Sequence, residues 1–358
     1  MIFLVKLIEL LTSKENYKIW QTNKNIGGIK MKKLITLTII IFTIGFILVA
    51  EGKPLERIAN EIGVEGEKFY NDGKYLEAAQ SFENAISKLE EAVQKDGIPE
   101  DKEKISRWYE LAFNGYYQGK DFTNALKILD KRLELSPGNY DLVKYQAIIY
   151  KKHLNDIDKA NEILMNFDQQ SPNYKARKSI AVNFKKYKKD KENALIWYKK
   201  AYELKQDASV LGNIAILNKE LGNNQDAIDA YEDFIKTKPK ESKLIKAYKN
   251  LGKLYEGMKN VSKMTENYEK ANALKYDENL TILLITKYHE TKQYDKATKN
   301  IELLLKNKPE SPDAIYYRAL INYDKGDKAA AKTDFVKLIN DSKYGSSAKG
   351  YIKSIASE

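Results

Sequence analysis

The sequence predicts an all-α solenoid of about eight helix-turn-helix repeats, and three observations carry that prediction. The 358-residue chain is rich in Lys, Leu, Ala and Glu and holds only 7 prolines and 18 glycines, a balance that favours long helices broken by short turns. A small residue recurs at Ala78, Ala125, Ala160, Ala194, Ala227, Ala297 and Ala331, with Met264 in the remaining slot; after a first interval of 47 the intervals run from 33 to 37. Four residues after each anchor stands a large apolar or aromatic residue: Phe82, Leu129, Leu164, Tyr198, Tyr231, Tyr268, Ile301 and Phe335. One helical turn places both members on one face, where the small one admits a neighbouring helix and the large one fills the space.

Each element of the unit has its own signal. Twelve residues beyond four anchors stand Pro137, Pro172, Pro239 and Pro309, where a proline ends the second helix and starts the next unit. First helices carry Trp108, Leu111 and Ala112, and again Leu251, Gly252 and Tyr255, in which the small residue makes room for the adjacent helix. Gly73, Gly119, Gly222 and Gly326 fall where an antiparallel helix pair must turn.

In period and in these residues the chain resembles the tetratricopeptide-repeat family from roughly Ala59 to Tyr344, and looks like a bacterial member that is exported or membrane-anchored. The resemblance implies a right-handed superhelical solenoid whose first helices line a concave groove for protein or peptide partners. Met264 for alanine, Arg132 where a small or apolar residue is usual, and the missing proline in the first, fourth, sixth and eighth units depart from the pattern.

The 47-residue interval sets off residues 53–104 as a first unit with a second helix elongated through Val93 and a loop around Gly97, Ile98 and Pro99. That loop is either a hinge or a surface loop on a longer helix. Residues 105–345 hold units two to eight. In 346–358, Ala348, Tyr351, Ile352 and Ile355 lie at helical spacing, as expected of a helix that caps the last apolar face.

Ahead of the repeats, Met31, Lys32 and Lys33 precede an uncharged stretch from Leu34 to Ala50, a positive region followed by an apolar run. Residues 31–52 therefore read as a signal peptide cleaved after Gly52, or as an N-terminal membrane anchor through 34–50. Either places the repeats across the cytoplasmic membrane, in the periplasm or cell envelope. Residues 1–30 read as a dispensable leader, with Met31 as the alternative start.

Charge and chemistry narrow the function. The net charge of +11 is uneven: Glu51 to Glu103 holds 14 acidic and 7 basic residues, whereas Tyr174 to Lys205 holds 3 acidic and 11 basic. No cysteine is present, which excludes disulfides, thiolate metal sites and a catalytic thiol. His153, in an inter-helix turn, and His289, late on a first helix, stand in no triad-like setting, and no phosphate loop or metal motif is found. The expectation is a protein that is not an enzyme and carries no cofactor or metal.

Given the resemblance, the groove is expected to be lined by first-helix positions not used for packing: Tyr109, Lys144, Lys151, Lys178, Lys185, Asn213, Lys219, Lys249, Asn250 and Lys253. Asparagine offers paired donor and acceptor and lysine offers charge, a set suited to the backbone and carboxylates of an extended peptide. The expected function is an extracytoplasmic scaffold for a protein or peptide partner, favouring acidic ones. The alternative is a polyanion-binding protein, for anionic lipid or cell-wall polymer, acting through the basic run from Lys175 to Glu192. Export argues against nucleic acid.

Overall fold

The computed structural model describes residues 54–357, so the segments read from the sequence as a leader and as an export signal or anchor lie outside the described residues. Among those described residues the chain forms seventeen α-helices and no strand. Sixteen of them make eight antiparallel pairs. They are α1 (Leu55–Asn71) with α2 (Tyr75–Asp96), α3 (Lys102–Gln118) with α4 (Phe122–Leu135), α5 (Tyr140–Lys152) with α6 (Ile157–Gln170), and α7 (Tyr174–Asn183) with α8 (Lys191–Leu204). The series continues with α9 (Ala208–Leu221) and α10 (Asn224–Lys236), α11 (Glu241–Gly257) and α12 (Val261–Leu274), α13 (Glu278–Glu290) and α14 (Tyr294–Asn307), and α15 (Pro312–Asp324) and α16 (Lys328–Lys337). A final helix, α17 (Gly345–Ser357), has no partner of its own. The chain divides into two compact units at Pro137, the first holding α1 to α4 and the second α5 to α17.

Packing follows the anchor pattern. All eight anchor residues and the eight large residues four positions later are buried, Met264 included. A Cβ added to Gly252 would meet the Tyr268 ring at 2.3 Å, so the small residue on α11 is what lets the α12 aromatic seat. Arg132 is accommodated differently. Its side chain is 18% exposed and directs the guanidinium toward Glu110, 3.7 Å away, keeping the stem packed and the charge at the rim.

The turn inside every pair has one shared device, which places a left-handed residue five positions ahead of the anchor. It is Gly73, Lys120, Asn155, Lys189, Gly222, Lys259, Lys292 and Gly326 in turn. Gly119 was the expected turn glycine of the second pair, but its φ is −71° and the left-handed conformation falls on Lys120. Gly119 serves packing instead, since a Cβ there would lie 2.5 Å from Leu76. One position further on, the side chain of Asp121, Asp156, Asp190, Asn260 or Asp327 caps the second helix, whereas Asn223 at the same position does not.

In the first unit, α2 runs to Asp96 and ends on left-handed Gly97, three residues beyond Val93. α3 then packs closely on α2, with Gly115 so near the Tyr75 carbonyl that a Cβ would lie 2.7 Å from it. Trp108 of α3 covers Gly63 of α1, and Arg107 reaches Glu67 of α1. The first two pairs are thus joined into one body, and the division of the chain falls after the second pair instead of at the Gly97 loop.

In the second unit, one apolar core runs from Ala181 to Ile321. A smaller cluster of Leu320, Phe335, Leu338, Tyr344 and Ala348 is closed by Tyr351, Ile352 and Ile355 of α17. The Tyr351 ring stacks on Phe335 with centroids 4.8 Å apart, so the last helix covers the apolar end that a terminal repeat would otherwise expose.

Candidate partner-binding face

The third and fourth pairs break the frame that the others keep. In the regular pairs the first backbone N–H of the second-helix cap donates to the carbonyl five residues earlier, as Asn223 does to Asn218 and Asn260 to Tyr255. Asp156 and Asp190 donate instead to Tyr150 and Phe184, six residues earlier. Each of these two pairs therefore carries one extra residue between packing stripe and turn. In the fourth pair the surplus is wound into a π-helical turn, Phe184–Lys188, which follows α7 directly. Such turns absorb a single inserted residue and occur often at functional sites. Its sequence is the lysine-rich heart of the basic run.

Along the first helices of the second unit, side chains are tied from one repeat to the next. Lys151 donates to Asn183 at 3.1 Å, Lys178 to Ser209 at 3.0 Å, Lys185 to Asn213 at 2.8 Å and Lys219 to Asn250 at 2.6 Å. Lys249 donates to Asp277 at 2.6 Å, and Thr286 to Tyr317 at 2.9 Å. These rungs join residues 28 to 32 apart, which is one repeat along the stack. Each contributes roughly 0.5 to 1.5 kcal/mol net by the general worth of such bonds.

Seven of the ten expected groove residues, Lys151, Lys178, Lys185, Asn213, Lys219, Lys249 and Asn250, are thus brought together as one polar row. Lys144 stands exposed beside Asp141 at 3.6 Å, and Lys253 is exposed on α11. Tyr109 belongs to the first unit. Burial raises its phenol pKa, aided by the charges of Glu90, Glu134 and Glu83, so its surroundings are acidic. The rung acceptors Asn183, Ser209 and Asp277 were not among the expected residues. The one-repeat spacing from Lys151, Lys178 and Lys249 was the signal that points to them.

The row keeps its positive charge, because most acceptors are neutral. Burial pushes the Lys151 and Lys185 ammonium pKa values down, a sign of partly desolvated cations, and for Lys185 only the Glu220 charge opposes this. Below Lys151, Asn183 passes a bond to Asn161 at 2.8 Å, and the Asn161 amide nitrogen, on a residue 3% exposed, has no hydrogen-bond partner. Elsewhere, the His289 imidazole lies 3.0 Å from Asp324 of α15, another one-repeat tie. Among the described residues no group of three His, Cys, Asp or Glu could hold a metal ion, and no helix is long and apolar enough to cross a membrane.

Comparisons with known proteins agree with the paired-helix geometry. No family model matches the sequence. A TPR repeat-containing protein of Methanocaldococcus jannaschii is 24% identical over 297 residues, covering 77% of this chain and 49% of its own length. The chain thus spans about half the length of that relative. The solved Naa15/Naa10 assembly bound to HypK-THB is similar with a TM-score of 0.50 at 13% identity, over 70% of this chain and 39% of that one. The C-terminal part of a TPR repeat-containing protein from Cytophaga hutchinsonii matches with a TM-score of 0.41 at 17% identity, over 69% of this chain and 99% of that one. Eight helix pairs, the buried anchor series and the likeness to the Naa15 assembly show an all-α solenoid fold of the tetratricopeptide-repeat type, and in sequence the chain is similar to a TPR repeat-containing protein.

Proposed function

We propose that this protein is a non-catalytic scaffold outside the cytoplasm, holding protein partners along the first-helix face of residues 138–357. The observation that carries this reading is the polar row, in which half-buried ammonium groups are bonded mostly to neutral oxygens and leave positive charge along a face of stacked helices. Such a row supplies donors to the carbonyls and carboxylates of an extended segment. Its potential speeds encounter with acidic partners more than it adds affinity. The solved assembly of similar fold, Naa15/Naa10, is bound to HypK-THB, which lends general support to a protein-binding role. Placement outside the cytoplasm rests on the positive region and apolar run from Met31 to Ala50, with membrane attachment through 34–50 where that segment is retained.

The polyanion reading has less behind it. Of its lysines, Lys185 is bonded to Asn213 and Lys188 to Asp158, so the run is partly neutralised or engaged within the fold.

The test is crosslinking on intact cells with the tagged full chain, followed by fractionation and partner identification. Recovery with the envelope is expected, together with enriched proteins that are lost when Lys178→Glu and Lys219→Glu are combined. Recovery only from the soluble cytoplasm overturns the location. An identical set of captured proteins with and without the charge reversals overturns the face.

A further inference from the structure

The two frame-breaking pairs also form a strongly basic concavity. Between α5 and α7 lies a cavity of about 450 Å³, ringed by Lys144, Lys151, Lys175 and Lys178 and walled by the rings of Tyr140 and Tyr174. This volume is within the range of small-ligand sites. Asp141 is the one carboxylate among its lining residues, and it faces Lys144 at 3.6 Å. Lys178 has a second carboxylate, Asp207, only at 3.9 Å. Lys151 is met by the neutral Asn183 amide, and Lys175 lies over the Tyr140 ring at 5.8 Å.

The walls are fixed. The Tyr140 hydroxyl and Ser179 hydroxyl are 3.0 Å apart, and Lys178 donates to the Tyr174 hydroxyl at 3.2 Å while bonded to Ser209. Four ammonium groups are therefore arranged around one space with far too little negative charge to match them.

We propose that this cavity receives a phosphomonoester dianion carried on a side chain of a partner protein. A phosphomonoester brings about −1.5 to −2 charge and three acceptor oxygens, which can take several ammonium donors at once. A planar carboxylate is matched best by the arginine fork, and the cavity has none; lysines act as point charges suited to a rounded, multiply charged group. The one arginine on α7, Arg177, is committed to Asp168 through bonds of 2.9 and 3.0 Å. A recess between two helices admits a protruding side chain more readily than the surface of a bilayer. This inference rests on the reading of the first-helix face as a partner-binding surface and adds the chemistry of one subsite to it.

The experiment titrates the full chain at pH 8 with inorganic phosphate against sodium chloride of equal ionic strength, then with three peptides that differ only in carrying Ser, Asp or phosphoserine. Phosphate is expected to raise the melting temperature above the chloride control. The phosphoserine peptide is expected to bind at least tenfold more tightly than the Ser and Asp forms. Combining Lys144→Gln with Lys175→Gln, neither of which forms a rung, should remove that preference, while Lys253→Gln should leave it intact. Equal binding of the three peptides, or a preference untouched by the paired substitution, overturns the proposal. So does binding only to vesicles containing phosphatidic acid. Phosphoserine discrimination without any partner captured in cells would count against the scaffold reading alone. A partner captured with no phosphate discrimination would count against this subsite alone.

Discussion

In the fifth and sixth repeats the turn closes five residues back and every buried stripe keeps its register; in the third and fourth it closes six back and the register slips by one. The slip is visible at a single frame position, twelve residues ahead of the anchor. In the sixth repeat that position is Gly252, buried against Tyr268, whereas in the fourth it is Val182, 36% exposed and lining the lysine-ringed cavity. Ala181 has taken over the packing role. The regular repeats thus devote this position to helix contact, whereas in the third repeat it is the half-buried Ile148 and in the fourth it turns toward the open face. One inserted residue changes a structural position into a site position.

Deleting single residues tests that contrast most severely. Removing Lys253 rotates Leu254 and Tyr255, both buried, about 100° out of the core of a repeat with no slack, at an expected cost of roughly 3 kcal/mol or more. Removing Lys186, exposed on the π-helical turn, takes out the surplus residue and should lower the urea midpoint far less. Equal losses, read by circular dichroism, would show that the turn is not a reservoir for the insertion.

Substitution at the shared frame position comes next in size. Gly252→Val forces a branched side chain into the space of the Tyr268 ring and should cost about 1 to 3 kcal/mol. Val182→Gly removes an exposed side chain from a helix and should cost about 0.5 to 1 kcal/mol, from backbone entropy. A reversal of this order in urea denaturation would contradict the register assignment.

The anchor series, the large residues four positions later and the capping contacts of Tyr351, Ile352 and Ile355 were legible in the sequence because they repeat and are apolar. Gly119 does lie in its turn, as the sequence suggested, but only the backbone tells that Lys120 bears the left-handed conformation. The inserted residues left a faint trace: the residue whose carbonyl closes the turn, Tyr255 in the sixth repeat, lies nine positions ahead of its anchor, but Tyr150 and Phe184 lie ten ahead of theirs. Interval lengths alone concealed it, since shorter connections elsewhere compensated. The lysines of the polar row were placed on the first helices by position. That they bond to the next repeat was not legible, because such ties depend on how neighbouring first helices align.

The left-handed turn lysines give a smaller effect of opposite sign. A residue with a Cβ is strained at positive φ, so Lys259→Gly in a regular pair and Lys189→Gly after the π-helical turn should each stabilise by roughly 0.5 to 1 kcal/mol. Similar rises in urea midpoint would show that φ alone governs both turns. A gain confined to Lys259 would mean that the π-helical turn holds its own conformation by other contacts.

The smallest contrast is in the helix starts on either side of the fourth repeat. Asn173 caps α7 through the N–H groups of Lys175 and Ala176, and Asp207 caps α9 through those of Ser209 and Val210. Loss of either cap should cost about 1 kcal/mol near neutral pH. Only the second titrates: the Ser209 hydroxyl bond, opposed by burial and helped by the backbone bond from Val210, lowers the Asp207 pKa from 3.8 to about 2. A carboxyl depressed in the folded state contributes stability that is complete above its unfolded value and is lost as the pH falls toward its folded value. The gap between wild type and Asp207→Ala in urea should therefore shrink between about pH 4 and pH 2, while the gap for Asn173→Ala stays level. A constant gap for both would mean that the hydroxyl and backbone bonds do not favour the charged carboxylate, and that Asp207 holds α9 no differently from a neutral cap.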